Sequence, residues 1–380
     1  MLVPSEPLGV TSCRPCPLLR PGRAVRVAVV GAGIVGLATT CELLQHGVEV
    51  RCYEAAAPMG ARSGGDTRIF RLAHTDPLRV ELAMRSRRGW DGWEQAAGTE
   101  FIGHEGTIVS GPPAQQWARA MGEAGAPFEL VEGGPLRGRL PARSAVGPFL
   151  HDPAGGVIQA RQVGRFLHER ARGVLVPARV QRIEPCENGA WLLSDAGRWR
   201  CDSVVIAAGE GTAPLAAAAG VDVPARLLHH ARFTFTLRDP GASPACWLDR
   251  SEAWRAGFTT YSHAIGEQGQ WTIGGSLDDS DTRWDLGAAT VIERSRTVVT
   301  RYVREHLDGI DPEVIDILYC NHTASPASGD SFGAARNGAV FAIWGDNLFK
   351  MAPLLGTLLA QTARTQTIPA PLAQPIPRSS

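Results

Sequence analysis

The chain has 380 residues, with 38 basic and 38 acidic side chains and a formal net charge of zero. A near-neutral pI of about 7.1 leaves no electrostatic footprint for nucleic acid or an anionic membrane surface, so neither is expected as a partner. At 44% hydrophobic and 20% charged residues, with no apolar run near the roughly 18 residues of a membrane span, the composition is that of a soluble, cytoplasmic globular protein. Eight cysteines without a framework suit a reducing compartment.

Residues 1–24 carry Pro4, Pro7, Pro15, Pro17 and Pro21 and lack the apolar core of a secretory signal, so they read as a disordered extension. Cys13 and Cys16 form a CxxC pair within it, with no second pair to complete a metal set and no βαβ pattern around them, and no metal site is expected.

The stretch Val25–Glu54 then dominates. Val25, Val27, Val29 and Val30 make a buried parallel strand that stops at Gly31. Gly31, Gly33 and Gly36 follow as GxGxxG: the first permits a tight turn, the second a close approach to a pyrophosphate, the third close packing of helix on strand. Leu37, Cys41, Leu43 and Leu44 give the helix its apolar face. A second strand from Val48 ends at Glu54, at about the spacing of an acid that binds a ribose diol. The unit binds a dinucleotide, and by itself does not say whether that is NAD or FAD.

Residues 55–65 are a loop. GDTRIFR, Gly65–Arg71, is expected as a helical turn that sets Arg68 and Arg71 on one side. Helices are predicted over 78–97, with Leu82, Ser86, Trp90 and Trp93 as a packing stripe, and over 114–125, with a strand over 101–110 before the second of them and a surface loop over 133–148 after it. A further α/β unit begins at Val157, with a helix over 160–172, short strands over 173–177, 178–185 and 190–193, and a buried strand, CDSVVIAAG, running into Gly209. Two strand-to-glycine elements so far apart require a chain that leaves one domain and returns. Residues 225–236 and 256–275 have strand alternation, 290–307 is an amphipathic helix, and 339–344, 345–350 and 352–364 read as strand, turn and helix. Residues 369–380 are a proline-rich, mobile tail.

The expected fold is therefore α/β: a Rossmann-type dinucleotide domain (25–100, 155–224 and 315–368) interleaved with a mixed-sheet α+β substrate domain (101–154 and 225–314). One further oddity lies in the charge inventory. Lys350 is the only lysine among the basic residues.

Taken together, GAGIVG, GDTRIFR, Cys320 in YCNHT and the pair Phe349-Lys350 resemble the sarcosine-oxidase-like flavoprotein amine oxidases, within the D-amino-acid-oxidase-like group, over about 25–366. The resemblance implies FAD, held by Gly31, Gly33, Gly36, Glu54, Ser63, Thr67 and Arg68, with Val180 and Gly209 at the adenosine end and Gly345, Asn347 and Lys350 near the ring. It implies a covalent bond from Cys320 to the flavin. Arg71 and Lys350 resemble the pair that clamps a substrate carboxylate, and Arg68 the arginine against the ring, with Tyr261 and His263 as polar pocket groups. It departs from the family at Thr272, where a second lysine usually assists reaction with oxygen, at Ser276 in place of a histidine, and at Asp346, Asn347 and Leu348 in place of a glycine-rich turn.

The implied activity is oxidation of a C–N bond in an amino or imino acid, a secondary or cyclic amine, to an imine, with hydride passing to flavin N5 and molecular oxygen reoxidising it to give hydrogen peroxide. The rivals are an FAD-dependent dehydrogenase with a protein or quinone acceptor, a nicotinamide enzyme on the same fold, and a non-catalytic FAD-binding subunit. Monomer and dimer both remain open. The arginine-rich, lysine-poor composition suggests a bacterial source.

Overall fold

The computed structural model describes residues 24–132, 139–143, 147–251, 259–266, 269–324 and 330–373. Strand Arg26–Val30 lies inside a six-stranded sheet in the spatial order 332–337, 340–345, 203–206, 26–30, 49–54, 175–177. Its neighbours Ser203–Ile206 and Glu49–Glu54 both run parallel to it. A parallel strand in that position is covered on both faces, which is why its residues form a continuous apolar run. Helix Ile34–Gln45 covers one face together with helices Ala160–Ala171 and Ala352–Thr365. On the other face, Ala28, Val30 and Tyr53 pack with Ile183, Leu192 and Trp199 from the antiparallel strands 180–186, 189–194 and 197–201.

The second sheet has eight strands, ordered 316–324, 226–236, 270–276, 259–265, 246–249, 107–110, 149–152, 129–131. Its alternation decides which face becomes core. Ala231, Phe233 and Phe235, with Trp271 and Ile273 on the adjacent strand, are buried in a cluster with Val299, Tyr302 and Val303 of helix Ala288–His306. The residues in between, His230, Arg232 and Thr234, point to the opposite face, since side chains alternate along a strand. Cross-strand register brings Cys320 opposite His230, Gly274 opposite Arg232 and Tyr261, and Thr272 opposite Thr234 and His263. Polar side chains of four strands thus share one face, turned away from the core.

Several expectations shift. GDTRIFR is not a helical turn: Thr67–Phe70 is a strand paired antiparallel to Gly156–Gln159, so Arg68 lies in the strand and Arg71 just past its end. The β-branched Thr67 and Ile69 favour that extended backbone. Strand Asp316–Ala324 belongs to the eight-stranded sheet, so the division drawn at residue 315 falls one strand early. Within 101–110 only Thr107–Ser110 is strand. At the C-terminal end, Ala370–Ala373 forms a helical turn with Leu372 buried, so the tail is packed over its first residues. Cys13, Cys16 and most of the N-terminal extension, residues 133–138 and 144–146 of the 133–148 loop, the start of the 256–275 segment and residues 374–380 lie outside the described residues, as does the side chain of Ser276. No helix among the described residues is long and apolar enough to cross a membrane.

Candidate active site

A cleft of about 1110 Å³ runs between the glycine turn of the first sheet and the polar face of the second. At one end it is lined by Gly31, Gly33, Glu54, Ser63, Val180 and Gly209. Gly31 has φ +100°, and a Cβ there would sit 2.5 Å from the Ala207 carbonyl oxygen. Gly36 is outside the lining; a Cβ on it would lie 1.8 Å from the Gly31 carbonyl oxygen, so it serves the close approach of helix to turn. The Glu54 carboxylate accepts from the backbone amides of Ala32, at 2.7 Å, and Ala56, at 3.0 Å, tying the turn to the end of the second strand. Ser63 Oγ accepts from the Ile34 amide at 3.0 Å, which places a hydroxyl at the positive end of helix Ile34–Gln45.

Further along, Arg68, Arg232, Tyr261, His263 and Cys320 line the cleft. Arg68 donates to the carbonyls of Thr67, Arg62 and Gly64, and its guanidinium lies 5.3 Å from the Phe349 ring. None of those acceptors is an acid. Burial, reinforced by the neighbouring charge of Arg232, pushes the Arg68 guanidinium down to about 9, the signature of an electropositive wall. Thr67 is behind the lining, where its hydroxyl bonds His263 Nε2 at 2.8 Å. Burial and the charges of Arg232 and Arg68 hold His263 neutral, and burial raises the Tyr261 phenol, so neither is ionised near pH 7. Cys320 Sγ lies 3.3 Å from His230 Nδ1, and His230 Nε2 lies 3.0 Å from the Tyr261 hydroxyl. Thr272 is buried on the same sheet face without lining the cleft, and its hydroxyl lies 3.5 Å from the Phe233 carbonyl.

The far end holds the densest charge. Arg71 and Lys350, 6% and 4% exposed, meet over the carboxylate of Asp330. Arg71 donates to Asp330 and to the Ala73 carbonyl, and its guanidinium lies 5.0 Å from the Trp117 ring. Lys350 Nζ donates to the same Asp330 Oδ2 at 2.8 Å, and His74 Nδ1 lies 3.2 Å from it. Asn347 Nδ2 takes the other oxygen. Lys350 is fixed from behind, since its carbonyl accepts from Ser86 Oγ at 2.7 Å and Trp90 Nε1 at 2.9 Å. The Ser86 and Trp90 stripe read as plain packing therefore also anchors the lysine. Burial and Arg71 push the Lys350 ammonium down to about 8, against the pull of Asp330. Burial alone would raise the Asp330 carboxyl, but Arg71, Lys350 and His74 together hold it well below the usual carboxylate range.

Asp330, Arg62, His230, Arg232 and Trp117 escaped the sequence reading. Arg62 bonds Thr323, the Gly345 carbonyl and Asp346, joining the loop after Glu54 to the C-terminal turn. Only His230 and Arg232 had a legible signal, as polar residues alternating with apolar ones in a predicted strand.

A glycine-tight turn delivering a helix N-terminus, an acid ending the next strand and a long cleft closing on buried cations define a dinucleotide-binding enzyme. The sequence matches the family of FAD dependent oxidoreductases (DAO) over residues 26–362, and the chain belongs to that family. It is an FAD-dependent oxidoreductase with the fold of amino-acid oxidases, as the resemblance implied. The structure is similar to NikD, an unusual amino acid oxidase essential for nikkomycin biosynthesis, with a TM-score of 0.80 at 20% identity over 93% of this chain and 98% of that one. It is also similar to an L-proline dehydrogenase from P. horikoshii, with a TM-score of 0.75 at 16% identity over 91% and 95%, and to a glycine oxidase from Geobacillus kaustophilus, with a TM-score of 0.72 at 19% identity over 91% and 96%. A search of curated protein sequences finds no match. The residues fit FAD: the glycine cradle is one that a Cβ would fill, and the electropositive wall of Arg68 and Arg232 suits a ring that gains negative charge.

Proposed function

We propose that this protein oxidises the C–N bond of an amino or imino acid, a secondary or cyclic amine, to the imine, and that oxygen takes up the electrons to give hydrogen peroxide. The observation that carries this reading is the pair of buried cations, Arg71 and the sole lysine Lys350, converging at the closed end of the cleft. An arginine fork and an ammonium aimed at one point suit a carboxylate. The names of its structural relatives support the same chemistry, among them an iminodiacetate oxidase, a glycine oxidase and an L-proline dehydrogenase.

FAD in the cleft supplies the two-electron acceptor, at N5 of its ring. Arg71 and Lys350 hold the carboxylate, which turns binding energy into alignment of the α-carbon hydrogen. Arg68, unneutralised by its carbonyl partners, favours negative charge on the ring. A neutral His263 and a protonated Tyr261 give the pocket polar groups without a strong base, and the reaction needs none when the amine binds neutral. We assign Cys320 as the residue that would be bonded to the flavin. The thioether would replace the thiol S–H and one ring-methyl C–H, and the two electrons released would be taken up by the ring and passed on to oxygen. His230 Nδ1, 3.3 Å from the sulfur, is placed to take the thiol proton. Cys320→Ala should then release all flavin on acid denaturation, where the wild type retains it.

A second reading, a dehydrogenase with a protein or quinone acceptor, is favoured by Thr272, which offers a buried hydroxyl where the resemblance calls for an ammonium. Peroxide measured per turnover separates the two. Stoichiometric peroxide supports the oxidase, and turnover seen only with an added quinone or protein acceptor defeats it.

A further inference from the structure

The Arg71–Lys350 pair is not vacant, because Asp330 already supplies it with a carboxylate. Oδ2 receives Arg71 and Lys350 and faces His74 Nδ1 at 3.2 Å, while Asn347 bonds Oδ1. Two of these donors, Arg71 and Lys350, are the pair proposed above for a substrate carboxylate. Asp330 lines the cleft beside those cations, two residues before strand Phe332–Asn337.

We propose that Asp330 is a resident competitor, an internal carboxylate that holds the clamp until a substrate carboxylate displaces it, and so sets which amines are accepted. The inference rests on the clamp reading of Arg71 and Lys350. Two carboxylates cannot share one oxygen position between the same two cations, since like charges so close disfavour joint ionisation. Binding is therefore an exchange. Arg71 and Lys350 lose Asp330 and gain the substrate, and observed affinity is intrinsic affinity reduced by the fraction of clamp left open.

Two consequences follow from the geometry. Without substrate, the buried cations stay paired and hydrogen-bonded, which avoids the cost of unpaired charge in a closed pocket. An amine lacking a carboxylate has nothing to exchange for Asp330, so it meets an occupied site. Selectivity for acids over plain amines thus comes from an internal rival as well as from attraction.

The test uses the FAD-loaded full chain and propionate, a carboxylate with no C–N bond to oxidise, titrated at pH 7 and read by the change in flavin absorbance. Asp330→Asn should bind propionate at least tenfold more tightly than the wild type, and Asp330→Glu, which keeps the charge, no more tightly. In a Lys350→Met background the gain from Asp330→Asn should shrink, because Arg71 alone then remains to compete for. Asp330→Ser replaces the asparagine variant if that one does not fold. Unchanged or weaker binding in the neutral variants would overturn the proposal and make Asp330 a support for the cations. Failure of every form, wild type included, to bind propionate would reject the clamp reading along with it.

Discussion

The two ends of the cleft are built in different ways. At the Gly31 end the work is done by backbone: a turn at φ +100°, a helix brought against it because Gly36 has no side chain, and one carboxylate fixing two amides. At the Lys350 end it is done by charged side chains that meet from Arg71, Asp330 and Lys350, far apart in sequence. The turn, helix and acid of the first end are made within about thirty consecutive residues, as a βαβ unit must be. The second exists only after the chain has folded. One end tolerates almost no added atom, whereas the other depends on a balance of opposed buried charges.

Substitutions should separate the two ends. Gly36→Ala puts a methyl into backbone, since the new Cβ would lie 1.8 Å from the Gly31 oxygen. We expect a loss of stability of about 3 kcal/mol, the upper end of the range for overpacking, read by thermal unfolding, and a fall in FAD content, read by flavin absorbance of the purified protein. Lys350→Met should leave FAD bound and raise KM for a carboxylate-bearing amine by roughly 100-fold, within the cost of about 2–5 kcal/mol for truncating one partner of a buried charged hydrogen bond. Unaltered kinetics would remove Lys350 from substrate binding.

Effects of pH belong to the same end. Burial and Arg71 push the Lys350 ammonium down to about 8, and it binds a carboxylate only when protonated. Propionate affinity should therefore be nearly full at neutral pH, decline through about 8 and fall by up to about tenfold per unit above it. Lys350→Arg should abolish that limb, because a guanidinium stays charged throughout the range. The smallest effect lies back at the glycine end. Ser63→Ala removes the acceptor for the Ile34 amide and should cost about 1 kcal/mol, as loss of a helix N-terminal oxygen does, with KM little changed.

The same contrast explains what was legible in the sequence. GxGxxG, the valine strand and Glu54 are a local pattern, and the structure keeps them as strand, helix start and end of the next strand. The alternation in residues 226–236 separates the Phe233 and Phe235 core from the His230 and Arg232 face, although it could not say what that face would meet. GDTRIFR misled, because a spacing of three between arginines suits a helical turn while Thr67 and Ile69 favour a strand. Asp330 could not be found at all: SGDS carries no period, and the carboxylate's partners lie far along the chain at Arg71 and nearer at Lys350. Local repeats announce themselves, whereas a charge cluster assembled by tertiary packing leaves no trace in any one segment.

The central claim is that this FAD enzyme selects its amine through a carboxylate held at Arg71 and Lys350. It is tested most directly by anaerobic bleaching of the bound flavin with N-alkyl, cyclic and ordinary amino acids, each beside the matching amine without its carboxylate. At least one secondary or cyclic amino acid should bleach the flavin and its decarboxylated partner should not, with the response lost in Lys350→Met. Equal bleaching by acid and plain amine, or bleaching that survives Lys350→Met undiminished, would contradict it.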